Sequence, residues 1–218
     1  MNQDKLIEII ELKLQKLEKE WQETKGMILS EDDLKCHLFR LLHEEKEFNE
    51  RVPTMNPNIF GTRLHTEIKF FNENRELLDR PDITILNPEN MSIRHSIEEI
   101  EIHRDRLEYR ELTTSKGFEF CGKSIVIELK FIKNKCGLTR KDDVELIKAD
   151  YEKIRRLIQI NNNDVKGFVV VFSKAPKPNR NNKNWLEFQK LEEEISELEN
   201  IKLFFGTGNI EPLTIGRC

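Results

Sequence analysis

The chain has little of what punctuates or anchors a protein. Its 218 residues include 9 glycines and 7 prolines, and no stretch is rich enough in Gly, Ser or Pro to act as a linker. At this length the absence of a linker favours one core with decoration over two domains, so a single domain over residues 1–218 is expected. The opening MNQDKLIEII has no basic n-region, apolar h-region or small-residue cleavage site. Neither export nor a membrane span is therefore expected, and the reading is a cytoplasmic protein without a membrane partner. Cysteine is scarce: Cys36, Cys121, Cys136 and Cys218 follow no CxxC or Cys/His cadence, which argues against zinc and a disulfide framework and for reduced thiols. A surplus of positive charge is also missing. With a net charge of −4, a polyanionic partner must be held by local basic patches. What remains is a globular balance of 35% charged and 37% apolar residues.

Periodicity supplies the elements. Ile7, Leu14 and Trp21, interleaved with Ile10 and Leu17, predict an amphipathic helix over residues 3–24 with a heptad-like seam. Packing on its own domain is favoured over a dimerisation arm. In "SEDDLKCHLFRLLHEE" Ser30 and Asp33 stand where a capping box needs them, and Leu34, Leu38, Leu41 and Leu42 form a stripe, predicting a helix over 31–45. "RLHTEIKFF" and "PDITIL" read as two antiparallel strands, and "KSIVIELKFI" as a central one. From a cap at Thr139, "RKDDVELIKADYEKIRRLIQI" predicts a helix of about five turns, followed by the buried strand "GFVVVFSK". The helix "WLEFQKLEEEISELEN" and the strand "IKLFFG" close the chain. Residues 87–118 fit neither period and read as an insertion.

The segment "RPDITIL" poses a chemical problem, because Asp82 opens an apolar strand where a carboxylate needs a donor, a proton or a cation. In "SIVIELKFI" the alternation of a strand sends Glu128 and Lys130 to one face and Ile127, Leu129 and Phe131 to the other. Glu-x-Lys occurs five times, at Glu11, Glu23, Glu44, Glu67 and Glu128, but only the last copy lies in a strongly apolar strand downstream of a Pro-Asp that opens another. Two carboxylates beside a lysine suit Mg²⁺, which binds one or two carboxylates and completes its shell with water and phosphate. Lys130 would then orient or deprotonate the attacking water, or stabilise the charged phosphorus.

Pro81-Asp82, Glu128-Leu129-Lys130 and the order helix, strand, strand, strand, helix, strand resemble the PD-(D/E)xK nuclease superfamily over roughly residues 30–173. The resemblance implies an α/β, restriction-endonuclease-like mixed β-sheet with an αβββαβ core flanked by helices. The core would span 30–173 with the insertion 87–118, preceded by a helical extension over 1–28 and followed by a helix and strand over 174–218. It implies a metal-dependent deoxyribonuclease that uses Mg²⁺, with Mn²⁺ able to substitute. Asp82 and Glu128 become metal ligands, with the Leu129 carbonyl and Glu31 as further ligands, and Lys130 the catalytic lysine. Homodimer contacts would fall on the N-terminal helix or the insertion. The alternative is a nuclease-like fold that has lost catalysis and serves as a nucleic-acid or protein binding module.

Two acid-free segments support a nucleic-acid partner. One carries Lys130, Lys133, Lys135, Arg140 and Lys141; the other carries Lys166, Lys174, Lys177, Arg180 and Lys183. Both lie largely in the loops that follow strands expected to end near Asp82 and Glu128, where a phosphate backbone needs cations. Trp185, just beyond, is a candidate for stacking on a base. His65 reads as a structural histidine. Asp150 and Lys153 either orient substrate or form an intrahelical pair, and both readings stay open.

Overall fold

A computed structural model describes residues 2–71, 77–93, 118–120, 122–160, 164–175 and 182–208. Helix α1, Gln3–Glu23, buries the expected seam of Ile7, Ile10, Leu14, Leu17 and Trp21. Its 21 residues span about 30 Å at ~1.5 Å per residue, which matches a nine-residue strand at ~3.3 Å per residue. That match is used at both ends. Gln3 Nε2 donates to the carbonyls of Ser124 and Asp164 at 2.9 Å each, while Gln22 Nε2 donates to the Thr207 carbonyl at 2.9 Å. The helix is therefore part of the core rather than an extension of it, and its seam is closed to a second copy of the chain.

Helix α2, Glu31–His43, carries the anticipated capping box: the Ser30 hydroxyl accepts from the Asp33 N–H at 3.1 Å, and the Asp33 carboxylate accepts from the Ser30 N–H at 3.0 Å. A short helix α3, Lys46–Asn49, follows. The strands then come in quick succession: β1 (Val52–Pro53), β2 (Phe60–Gly61), β3 (Leu64–Thr66), β4 (Phe70–Phe71), β5 (Leu77–Asp79) and β6 (Ile83–Ile85). β7 (Met91–Ile93) and β8 (Phe118–Phe120) form a two-stranded ribbon. The middle of the expected insertion, residues 94–117, lies outside the described residues. The remaining elements are β9 (Ser124–Ile132), α4 (Lys141–Ile160), β10 (Val165–Ser173), α5 (Lys183–Ser196) and β11 (Ile201–Thr207).

Five strands make one mixed sheet in the order β11, β10, β9, β6, β3, with β9, β10 and β11 parallel and β6 antiparallel to both its neighbours. The molecule is thus mixed α/β, and β9 is central as its β-branched run implied. Helices α1 and α2 cover one face together with Ile125, Ile127, Leu129, Phe131, Phe168, Val170 and Phe172. Helices α4 and α5 cover the other, packing on Val126, Val169 and Val171. Gly167 allows α4 to sit close: a Cβ there would come within 2.1 Å of Ile154 Cγ2.

Several expectations change. "RLHTEIKFF" is not one strand, because Glu67 adopts φ 53° in the left-handed region and breaks β3 from β4. Thr139 does not cap α4, which starts at Lys141; its Oγ1 instead accepts from Asn134 Nδ2 at 2.8 Å. Trp185 is buried against Phe188 and Phe205, so it cannot offer a face to a base. Cys136 is disulfide-bonded, contrary to the expected reduced thiols, while Cys36 is free and exposed; Cys121 and Cys218 lie outside the described residues. No helix among the described residues is long and apolar enough to cross a membrane.

Candidate active site

The site forms where β6 leaves β9. Pro81 has no N–H to extend a ladder, and the antiparallel register runs only over Ile83↔Ile127, Thr84↔Val126 and Ile85↔Ile125. From Glu128 onward β9 has no strand on that side among the described residues, and its inner N–H groups need acceptors. Two carboxylates supply them. Asp82 Oδ2 accepts from the Leu129 N–H at 2.9 Å, and Glu31 Oε2 accepts from the Phe131 N–H at 3.2 Å. Both side chains therefore sit in the fork for a backbone reason as well as a chemical one. Because Asp33 does the capping of α2, Glu31 is free to reach the strand.

Asp82 also faces a cation, but a protein one. Lys35 Nζ, one helical turn after Glu31, lies 3.6 Å from Asp82 Oδ1, 2.9 Å from Glu67 Oε1 and 3.4 Å from Asp32 Oδ1. Its hydrogen bond to Glu67, aided by the Asp82 charge against the effect of burial, pushes the Lys35 pKa up to about 12. The Asp82 pKa is itself raised by burial, with the Glu31 charge adding to this, while the Leu129 N–H, Lys35 and Lys130 pull the other way.

Glu128 and Lys130 emerge on the α4 side of the sheet, as the alternation required. Glu128 is 5% exposed, and its Oε1 has no hydrogen-bond partner among the described residues. Burial first, then the negative charges of Asp79, Asp150 and Asp82, push its pKa up to about 9 against the pull of Lys153. Lys130 Nζ lies 3.3 Å from Glu31 Oε2 and 3.4 Å from Asp150 Oδ2. Burial opposes its charge, but Asp150 and Glu31 outweigh that and raise its pKa. Asp150 is held in turn by Lys153, whose Nζ donates to Oδ1 at 2.8 Å. The intrahelical pair and the contact to the strand thus coexist. Asp79 completes the cluster, with a shielded Oδ2 lacking a partner among the described residues.

Sequence reasoning named Asp82, Glu128, Lys130 and Glu31 and missed Lys35 and Asp79. Lys35 carried a usable signal, since it falls on the same helical face as Glu31. The Leu129 N–H also enters the site, as the donor to Asp82. His65 Nε2 contacts the Thr62 carbonyl at 2.9 Å, in keeping with a structural role.

Among the described residues no three His, Cys, Asp or Glu side chains are grouped so as to hold a metal by themselves. Mg²⁺ asks for less, usually one or two carboxylates with water and phosphate completing an octahedron. The electrostatic coupling of Asp82 to Glu128 and the orphaned Glu128 Oε1 fit that smaller requirement.

The basic segments divide. Ser173↔Ile132 aligns the ends of β10 and β9, so the segments after them leave from the end of the sheet that carries the fork. Lys133, Lys135 and Arg140 are exposed there, as are Lys141, paired with Glu145 at 3.0 Å, and Lys183 at the start of α5. Lys174 is half-buried with its Nζ 5.7 Å from the Phe131 ring centroid. Lys166 does not belong with them: it lies at the opposite end of the sheet, bound to Asp4 at 2.7 Å. Lys177 and Arg180 lie outside the described residues.

Comparison of the chain with family models, curated proteins and solved structures found no match.

Proposed function

We propose that the chain is a magnesium-dependent nuclease that hydrolyses DNA phosphodiester bonds. One observation carries the reading: Asp82, far in sequence from Glu128 and Lys130, comes to the fork between β6 and β9 beside them and is electrostatically coupled to each. The order α2, β3, β6, β9, α4, β10 supports a restriction-endonuclease-like core, because it follows the αβββαβ arrangement of the PD-(D/E)xK superfamily.

On this reading Asp82 and Glu128 hold the ion, and Glu31 is close enough to the fork to join them. Bound there, Mg²⁺ would neutralise phosphate charge and lower the pKa of a water for in-line attack. Lys130 supplies a fixed positive charge for the phosphoryl oxygens as negative charge grows on them. Glu128 must lose its proton to serve, which the high pKa of the metal-free protein opposes and a neighbouring dication favours. The exposed cations Lys133, Lys135, Arg140, Lys141 and Lys183 offer the sequence-independent attraction that a backbone requires.

Incubating the purified protein with plasmid in Mg²⁺, Mn²⁺ or EDTA, beside an Asp82→Ala variant, tests the proposal. Cleavage in Mg²⁺ that EDTA stops and the variant lowers by roughly 10³-fold supports it. Binding without cleavage, unchanged by the substitution, would instead identify a binding module. A matched RNA substrate in parallel separates deoxyribonuclease from ribonuclease.

A further inference from the structure

We infer that Asp150 is a positioning residue that holds the Lys130 ammonium at the fork from the α4 side, an assignment that rests on the nuclease reading. Among the described residues Lys130 has two acidic partners, from helices on opposite faces of the sheet, and they differ in kind. The Glu31 side chain is 42% exposed and sits in the first turn of α2, so it can turn away to an incoming cation. The Asp150 side chain is 7% exposed and bound on its other oxygen by Lys153, so it cannot. Asp150 is therefore the lasting anchor of Lys130, and Glu31 the exchangeable one.

Three features keep Asp150 in place. Gly167 lets Ile154, one turn further along α4, press onto β10. Tyr151, the next residue, donates its hydroxyl to Glu194 Oε1 of α5 at 2.9 Å. Lys153 balances the charge of Asp150 and also faces Glu128. A buried carboxylate shared by two lysines thus sets where Lys130 points. Asp150 touches no substrate on this account; it acts through Lys130.

The test combines a spectroscopic and a kinetic measurement. In metal-free protein labelled with ¹⁵N at lysine Nζ, Lys130→Arg identifies the Lys130 ammonium signal, which the buried contact protects from exchange with water. Asp150→Asn is expected to abolish that protection, and to lower kcat on plasmid by on the order of 10²-fold while KM stays within about threefold, since a small misplacement of a catalytic group acts on the chemical step. Asp150→Glu keeps the buried charges balanced and so folds even if the Asn variant does not. Its carboxylate is displaced by one methylene, and an intermediate loss in kcat of about tenfold is expected with a shifted Lys130 signal. A Lys130 signal and a kcat that match the wild type in both variants overturn the inference. If the wild-type protein leaves plasmid intact in Mg²⁺, the nuclease reading fails by itself. The Lys130 signal then still decides: lost in Asp150→Asn, it upholds Asp150 as the anchor; preserved, it overturns it.

Discussion

Toward α1 and α2, strand β9 presents Ile125, Ile127, Leu129 and Phe131 to a dry core; toward α4, the alternate residues Glu128 and Lys130 meet Asp150, Lys153 and Asp79. The same nine residues thus build one wholly apolar interior and one in which charged groups adjoin the apolar packing of Val126 and Ile132. On the first face burial is favourable by itself, because removing apolar surface from water needs no partner. On the second, Val126 and Ile132 are buried in the same way, but for Glu128 and Lys130 burial is favourable only where charges compensate one another, and Glu128 Oε1 shows that compensation is incomplete. Stability should therefore respond to size alone on the first face, and on the second also to charge, pH and cations around Glu128 and Lys130.

The largest expected effect breaks the apolar face. Trp21 is fully buried against Phe131 and Phe172, and Trp21→Ala should lower unfolding free energy by about 3–5 kcal/mol in urea titrations. A loss below ~1 kcal/mol would mean that α1 is not part of the core.

Next comes the seam by which α4 meets the sheet. Gly167→Ala would drive a Cβ into Ile154 and should destabilise by about 1–3 kcal/mol. The loss should be smaller when Ile154→Ala is introduced first, and a double-mutant cycle showing strict additivity would contradict the close approach.

The polar face should reveal itself through pH. Folding raises the Glu128 pKa from 4.5 to about 9, so the folded protein retains a proton that the unfolded chain gives up. Glu128 thus weighs least against folding below about 4.5, and stability should fall as pH rises from there toward about 9. The slope from this one group is at most about 1.4 kcal/mol per pH unit, and Glu128→Gln should remove it. A cation seated at Asp82 and Glu128 favours the ionised form. Mg²⁺ should accordingly raise Tm more at pH about 9 than at about 6, and equal shifts at both would count against the metal reading.

The smallest effect lies outside both interiors. Lys133→Gln and Lys135→Gln should leave Tm unchanged while each reduces the slope of log affinity for DNA against log salt by about 0.9. An unaltered slope would remove this loop from the interface.

The legible part of the fold was the part written in periodicity. The α1 seam, the Ser30–Asp33 capping box and the apolar run of β9 specify their own local structure, and the structure bears them out. The break at Glu67 was illegible because alternation reports which side chains are apolar and says nothing of a single left-handed residue. Trp185 was misread because a large aromatic after a basic segment suits a base and a core equally; only its neighbours Phe188 and Phe205 decide.

By itself the sequence determined that Glu128 and Lys130 share a face of an apolar strand, because a two-residue spacing on a pleated chain leaves no other arrangement. Which groups they meet was decided only by tertiary structure. The departure of β6 at Pro81 leaves β9 amides open for Asp82 and Glu31, and the close seat of α4 on Gly167 brings Asp150 to Lys130. Those partners lie on other elements, and their distances depend on how the helices settle against the sheet, which no local pattern encodes.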